Sequence, residues 1–163
     1  MKKLPFILFA VLLLSVACST IDCSVYNIVA TVYSLKKANG TADTLKDTLY
    51  VITRTVKGKD TVLLDKEVNA TQFQLQIGYS NPEDTLRFIV KDALGGVFCD
   101  TAYIKKENKP QFESVDCKMN YFHTITGVRL TSHHAIDSIV IKKTAVNYDL
   151  SSEHFHIYFR ANR

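Results

Sequence analysis

The stretch Thr71-Gln72-Phe73-Gln74-Leu75-Gln76-Ile77 decides the fold class, because polar and apolar residues alternate strictly along it. Successive side chains of a β-strand point to opposite faces of a sheet, so we expect Phe73, Leu75 and Ile77 to face a core and the glutamines to face solvent. Residues 85–90 repeat this pattern. A period of two predicts half-buried antiparallel strands.

The C-terminal segment 154–160 alternates in the same way. We expect its apolar residues Phe155, Ile157 and Phe159 to point inward. The residues between them should point to solvent, namely His154, His156, Tyr158 and Arg160.

The rest of the chain also alternates between strand-like runs and turn residues, as is typical of an all-β protein. Runs rich in Val, Ile, Thr, Tyr and Phe predict further strands at 25–35, 47–56, 61–68, 97–105, 121–131 and 136–143. Gly58 and the pair Gly95-Gly96 lie between runs and predict hairpins. Eight to ten short strands indicate an antiparallel β-sandwich, Ig-like or a close variant, with a closed barrel as the alternative. The chain has no Trp, so the usual Ig core Trp is absent.

The first residues have the pattern of an export signal. Lys2 and Lys3 precede the apolar run 4–14, which is too short to span a bilayer as a helix. The run ends in Leu14-Ser15-Val16-Ala17-Cys18, which resembles a bacterial lipobox, although Ser15 stands where Leu is usual. We therefore predict a signal peptide at 1–17, a lipidated tether at 18–24 beginning with Cys18, and one β-sandwich domain at 25–163. A soluble exported protein with the same boundary is the alternative.

The net charge of the chain restricts the classes of partner that it can bind. The 163 residues carry a formal charge of +4, and removal of residues 1–17 leaves 18 basic against 16 acidic residues. This small and scattered excess argues against nucleic-acid binding, which requires a concentrated basic face. We expect a membrane, reached through the N-terminal lipid, and envelope proteins as partners.

The cysteines suit an oxidising compartment. With Cys18 acylated, Cys23, Cys99 and Cys117 remain, and three pairings are open. We favour a Cys23–Cys117 disulfide because both residues lie at predicted strand edges beside an Asp. Cys99 is then a buried free thiol within a strand.

A recurring Asp-Thr or Asp-Ser pair, always followed by an apolar residue, has two interpretations. In the structural one, Asp closes a turn and the hydroxyl residue begins a strand. In the other, the pattern resembles the O-glycosylation acceptor of Bacteroidota. The candidate acceptors are Thr44, Thr48, Thr61, Thr85, Thr101 and Ser138, with Thr44 and Thr48 favoured as exposed turn positions.

Several stretches are shared with one known family. They are the lipobox with Ile21-Asp22-Cys23 and the segments 112–117, 122–127, 135–139 and 153–159. Together they resemble a family of Bacteroidota lipoproteins of unknown function. The resemblance implies a β-rich lipoprotein of the cell envelope, supports the Cys23–Cys117 pairing and brings no known activity.

Histidines provide one candidate metal site. His154 and His156 are two residues apart on a predicted strand, so both imidazoles can reach one zinc ion if a third ligand comes from elsewhere. The candidates for that ligand are His123, His133, His134 and Asp149. The alternative is that the two histidines lie on the wet face of the last strand, and we expect no cofactor.

Three functions remain open. The favoured one is a non-catalytic, lipid-anchored scaffold or accessory subunit, which predicts an exposed apolar or aromatic patch on one sheet. The second is a glycan- or peptide-binding module, which predicts a groove lined by some of Tyr33, Tyr79, Tyr103, Tyr121, Tyr148 and Tyr158. A His-metal enzyme comes last, so we expect no catalysis. We expect the outer membrane, facing the periplasm, with cell-surface display as the alternative.

Overall fold

A computed structural model describes residues 28–54, 58–115 and 117–161. The predicted signal peptide and tether therefore lie outside the described residues. Ten strands follow one another along the chain: β1 Ala30–Leu35, β2 Thr48–Arg54, β3 Asp60–Glu67, β4 Gln72–Gln76, β5 Glu83–Lys91, β6 Val97–Gln111, β7 Asn120–Leu130, β8 Ile136–Ile141, β9 Ala145–Val146 and β10 Phe155–Phe159.

The strands form two sheets. One has the order β4-β1-β10-β8 and the other the order β3-β2-β5-β6-β7-β9. All pairs are antiparallel except β1 with β10, which run parallel. The all-β sandwich predicted from the alternation is confirmed, and the described residues form two separate sheets rather than one closed barrel.

The predicted strands match the observed ones closely, and the differences have local causes. β6 continues past the predicted end at Lys105 to Gln111, and Pro110 is accommodated near its last residue, opposite Tyr121. A proline is tolerated there because a strand end needs few ladder donors. The two-residue strand β9 is too short to produce a visible alternation. Among the described residues β1 begins at Ala30, and the predicted start at Val25 lies outside them.

The core is centred on Tyr33. Its ring stacks on Phe73 and Phe155 at centroid distances of 5.1 and 4.7 Å and meets Phe88 edge-on at 6.3 Å. Each such pair contributes roughly 0.5–1.5 kcal/mol beyond the burial of its area. Tyr33 is 1% exposed, so it belongs to the core and is excluded from the predicted ligand groove.

Asp100 corrects the turn interpretation of the Asp-Thr pairs. It lies within β6 and is 1% exposed, and its carboxylate accepts hydrogen bonds from the Ser132 hydroxyl and from three backbone N–H groups of residues 134–136. Burial acts to raise the pKa of Asp100, but these hydrogen bonds outweigh it and lower the pKa below its usual range. Asp100 thereby fixes the connection between β7 and β8 to the larger sheet.

No helix within the described ranges has the length and apolar character of a membrane span.

Candidate functional site

The candidate site lies at one end of the sandwich, which we call the proximal end. It is the end where the described chain begins at Ile28, and the β4–β5 connection (77–82) and the β6–β7 loop (112–119) lie there. The opposite, distal end carries the β5–β6 hairpin around Leu94. Two open clefts that share Gln76 and Ile77 occupy the proximal end.

The first, which we call the Asp84 cleft, has a volume of about 610 Å³. It lies where the ends of β2 and β5 meet the end of β4, and Leu63, Ile77 and Leu86 give it an apolar wall. Arg54 and Lys59 contribute positive charge and Asp84 contributes negative charge. This cleft offers space to an apolar group but no concentrated charge.

The second, which we call the Tyr79 cleft, also measures about 610 Å³. Tyr79 and Tyr121 stack there with their centroids 4.6 Å apart and their planes 5° apart. Tyr79 is 60% exposed and Met119 is 51% exposed, so both side chains present apolar surface to solvent. Flat aromatic surface beside polar groups is typical of recognition sites.

Four residues with polar side chains, which we call the polar cluster, lie beneath the clefts: Asp84, Lys106, Asn108 and His123. Lys106 is 3% exposed and its Nζ lies 2.6 Å from Asp84 Oδ1. A buried ammonium requires such a partner, because an unpaired charge in the interior costs several kcal/mol. His123 Nδ1 lies 2.8 Å from Asn108 Oδ1 and donates to it, since an amide oxygen only accepts.

His123 is uncharged near neutral pH. Burial, together with the positive charge of Lys106, lowers the pKa of His123 to about 4. Its ring also lines the Tyr79 cleft. The cleft floor therefore presents a neutral imidazole.

The polar cluster holds the β4–β5 connection in place. Asn108 Nδ2 donates to the carbonyls of Tyr79 at 2.9 Å and of Asn81 at 3.2 Å. The Gly78 N–H donates to Asp84 Oδ2 at 3.2 Å. These bonds fix the backbone that carries Tyr79, and so position its ring against Tyr121.

The predicted acylation and disulfide sites reach the described structure only in part. Cys18 and Cys23 lie outside the described residues, so lipidation and the Cys23–Cys117 pairing stay predictions. Cys99 is a free thiol, as expected, but it is half-buried rather than buried.

The histidine prediction needs a correction. His154 is fully buried, not on the wet face. Its Nδ1 accepts from the Val32 N–H at 3.1 Å, so its Nε2 carries the proton and donates to the Ala145 carbonyl at 3.2 Å. His154 precedes β10, and its ring adds to the backbone hydrogen bonds that its own N–H and carbonyl make with Val32 and Lys142.

The pair His154–His156 is accordingly not arranged as a metal site. Both ring nitrogens of His154 are occupied by backbone groups, and His156 Nε2 lies 2.6 Å from Glu153 Oε2. Across residues 28–54, 58–115 and 117–161, no three His, Cys, Asp or Glu side chains are grouped to hold a metal ion.

The six candidate glycosylation acceptors differ in exposure. Thr44 and Thr61 are exposed, whereas the other four are partly buried: Thr48, Thr85, Thr101 and Ser138. Thr48 follows Asp47 as the first residue of β2, which fits the structural interpretation of the pair.

The tyrosines separate into different environments. Of the six predicted, Tyr79 and Tyr121 meet in one cleft, whereas Tyr103 lies beneath Arg129 and Tyr148 packs edge-on against Phe122. Tyr158 lines a third cleft, of about 810 Å³, near Lys36 and Arg160.

The polar cluster was missed by the sequence analysis. Its signal was present, because the inward positions of β6 run Asp100, Ala102, Ile104 and Lys106, and a lysine in that series requires an inward partner.

The chain is an all-β sandwich domain with two open clefts at its proximal end. The chain belongs to DUF6452, a family of unknown function, whose model matches residues 48–159. The match runs from β2 to the end of β10. No curated protein and no solved structure matches the chain. The predicted membership of a family of unknown function is thus confirmed, while the Bacteroidota origin and the lipobox stay predictions.

Proposed function

We propose that this chain is a lipid-anchored envelope lipoprotein that acts without catalysis, as a scaffold or accessory subunit. The observation that carries the proposal is the concentration of exposed apolar side chains at the proximal end, the end from which the chain leads back to Cys18. Five of the ten exposed large hydrophobic residues among those described lie there: Ile28, Tyr79, Phe112, Val115 and Met119. Such a patch is typical of an interaction surface. We expected this patch on one sheet, but its residues lie in loops outside the strands.

The anchor is tested by fractionating cells that express the full chain. Wild-type protein should sediment with membranes and dissolve only in detergent, and Cys18→Ala should be released or retained as the uncleaved precursor. Cys99→Ser is the matched control, because it removes a cysteine that the proposal does not use. Equal membrane attachment of Cys18→Ala and wild type, both cleaved after residue 17, would contradict the anchor.

Intact-mass measurement on the same material tests the covalent chemistry. Acylation at Cys18 adds the mass of a diacylglycerol, and the Cys23–Cys117 disulfide adds two hydrogens on reduction. Glycosylation adds hexose-sized increments, for which exposed Thr44 and Thr61 are the first acceptors to replace by Ala. The location that we propose is the outer membrane with the domain facing the periplasm, and protease shaving of intact cells distinguishes it from surface display.

A glycan- or peptide-binding module is the second candidate, and the stacked pair Tyr79–Tyr121 favours it. One face of an exposed ring suits the apolar face of a sugar or a peptide side chain, and Asn120 and Gln76 supply amide groups beside it. Calorimetry with N-acetylglucosamine oligosaccharides and short peptides should give heat that Tyr79→Ala abolishes. Tyr103→Ala is the control, because its ring lies under Arg129. No heat with any probe, or equal loss in both variants, removes this candidate.

A further inference from the structure

The β6–β7 loop exposes apolar side chains to an unusual degree. Phe112 is 62% exposed and Val115 is 85% exposed, and Met119 at the far side of the loop is 51% exposed. The strands on both sides are held in register by the pair Gln111 and Asn120. The loop is therefore a projection with an apolar tip on a rigid base.

The base of the loop is polar and fixed. Tyr148 donates a hydrogen bond to Glu113 and accepts one from Asn120 at 2.9 Å, so the carboxylate of Glu113 is tied back to the domain. Lys109 and Lys118 flank the loop and are exposed. An apolar tip flanked by two lysines suits the boundary between acyl chains and phosphate groups, where lysine stems lie along apolar surface and the ammonium reaches the phosphates.

The length of the tether limits where this tip can lie. Ile28 and Met119 both line the Tyr79 cleft, so the first described residue lies next to the loop. Nine residues lie between Cys18 and Ile28, and the ten steps from one Cα to the next span at most about 35 Å in an extended chain. An acyl group at Cys18 therefore keeps the proximal end within about one domain diameter of the bilayer, at a high effective concentration.

We propose that the proximal end docks on the lipid bilayer, with Phe112, Val115 and Met119 inserted at the level of the acyl-chain carbonyls. This inference rests on the proposed lipid anchor. It gives the domain a defined orientation, in which β6 stands away from the membrane and the Leu94 hairpin points into the periplasm. The two ends of β6 are about 45 Å apart along the strand, because it has 15 residues.

The absence of Trp from the chain provides the test. Single Trp residues are introduced as Phe112→Trp and Val115→Trp in the loop and as Leu94→Trp in the distal hairpin. Leu94 is 97% exposed, so it is an equally accessible control at the opposite end. The three proteins are bound to phosphatidylcholine vesicles whose acyl chains carry bromine either near the carbonyl end or near the middle.

We expect loop Trp emission to shift to shorter wavelength and to be quenched more by carbonyl-end bromine than by mid-chain bromine. The emission of Leu94→Trp should be unchanged by either lipid. In the non-acylated chain from Ser19 onward, we expect Phe112→Ser and Val115→Ser each to weaken vesicle binding by about tenfold, whereas Leu94→Ser leaves it unchanged.

Two ways of attaching the protein to the vesicles distinguish a failure of the docking proposal from a failure of the anchor proposal. The first is the acylated full chain, and the second is the chain from Ser19 onward with an N-terminal histidine tag on nickel-chelating lipid. If the tagged chain is quenched at the loop while the full chain is not acylated in cells, the docking stands and the anchor is wrong. If both loop positions are unquenched on bound protein, or if Leu94→Trp is quenched equally, the docking is wrong.

Discussion

Replacing Asp100 by Asn tests whether one buried carboxylate holds the β7–β8 connection. Asp100 Oδ1 accepts from Ser132 Oγ at 2.7 Å and from the His134 N–H at 2.8 Å. Oδ2 accepts from the N–H groups of Ala135 and Ile136 at 2.7 and 2.8 Å. Each carboxylate oxygen therefore accepts two hydrogen bonds, and the side chain is almost fully shielded from water.

An Asn side chain has the same shape but only one acceptor oxygen. If the amide nitrogen of Asn takes the Oδ2 position, two backbone N–H groups face it and lose their acceptor. If the nitrogen takes the Oδ1 position, only the His134 N–H loses its acceptor, because the Ser132 hydroxyl can turn and accept from the amide. The second orientation is less costly and leaves one backbone donor unsatisfied, which costs about 1–3 kcal/mol. Two charge-assisted bonds at the remaining oxygen also become neutral, so we expect a total loss of about 3 kcal/mol.

Urea denaturation measures this loss as a lower midpoint with an unchanged slope. Asp137→Asn is the control, because Asp137 is exposed near the same connection and its carboxylate accepts from the Ser138 hydroxyl at 3.3 Å. Exposed substitutions of this kind stay within about 0.5 kcal/mol of wild type. An Asp100→Asn protein that is as stable as the control would refute the reasoning.

The same variant has a pH signature. Because the pKa of Asp100 is lowered in the folded state, its contribution is present above the unfolded pKa of about 4 and is lost as pH falls through the folded pKa. The stability gap between wild type and Asp100→Asn should therefore narrow below about pH 4. A gap that widens in acid would have the wrong sign.

Three further outcomes follow from buried charge and backbone geometry. Burial lowers the pKa of His123 to about 4, so the unfolded state binds more protons below about pH 6.5. Urea titrations at several pH values should show stability falling from there to about pH 4, by up to about 1.4 kcal/mol per pH unit for His123, and the lowered pKa of His154 adds a loss of the same sign. Lys106→Met leaves the carboxylate of Asp84 without its ion-pair partner and should cost about 3 kcal/mol, most of it recovered when Asp84→Leu is added; a double variant no more stable than the single one would contradict this. Gly95 has φ of +92°, so Gly95→Ala should lower the unfolding free energy by about 1 kcal/mol in the same assay, and an unchanged value would show that the turn relaxes.

The strands could be predicted from sequence because one face of each sheet is buried, and burial imposes a period of two. Phe73, Leu75, Leu86 and Phe88 are all buried as expected. The parallel pairing of β1 with β10 could not be predicted in this way, since alternation records which face is buried but not which strand lies beside which. His154 shows a second limit: it lies outside β10, where neighbouring backbone groups and not the pleat determine its direction.

The candidate site was less predictable than the fold, because it is made by three connections that are distant in sequence. Tyr79 and Tyr121 were both candidates, but only the register of β6 with β7 and the course of the β4–β5 connection bring their rings together. The apolar loop residues Phe112 and Val115 show no periodicity, so they carried no signal of exposure. Their position next to Ile28, ten positions after Cys18, is what connects them to the proposed anchor.

The polar cluster explains why a small sandwich retains a buried ion pair at this end. Replacing such a pair by apolar residues is often neutral or stabilising, so stability alone is a weak reason to retain it. Asp84 and Asn108, however, use their remaining hydrogen-bonding groups on the backbone of residues 78–81, which carries Tyr79. Apolar residues of the same volume would fill the space but could not bind those backbone groups. The buried charges therefore determine the position of an exposed ring, and this links the interior of the domain to the surface by which we propose it acts.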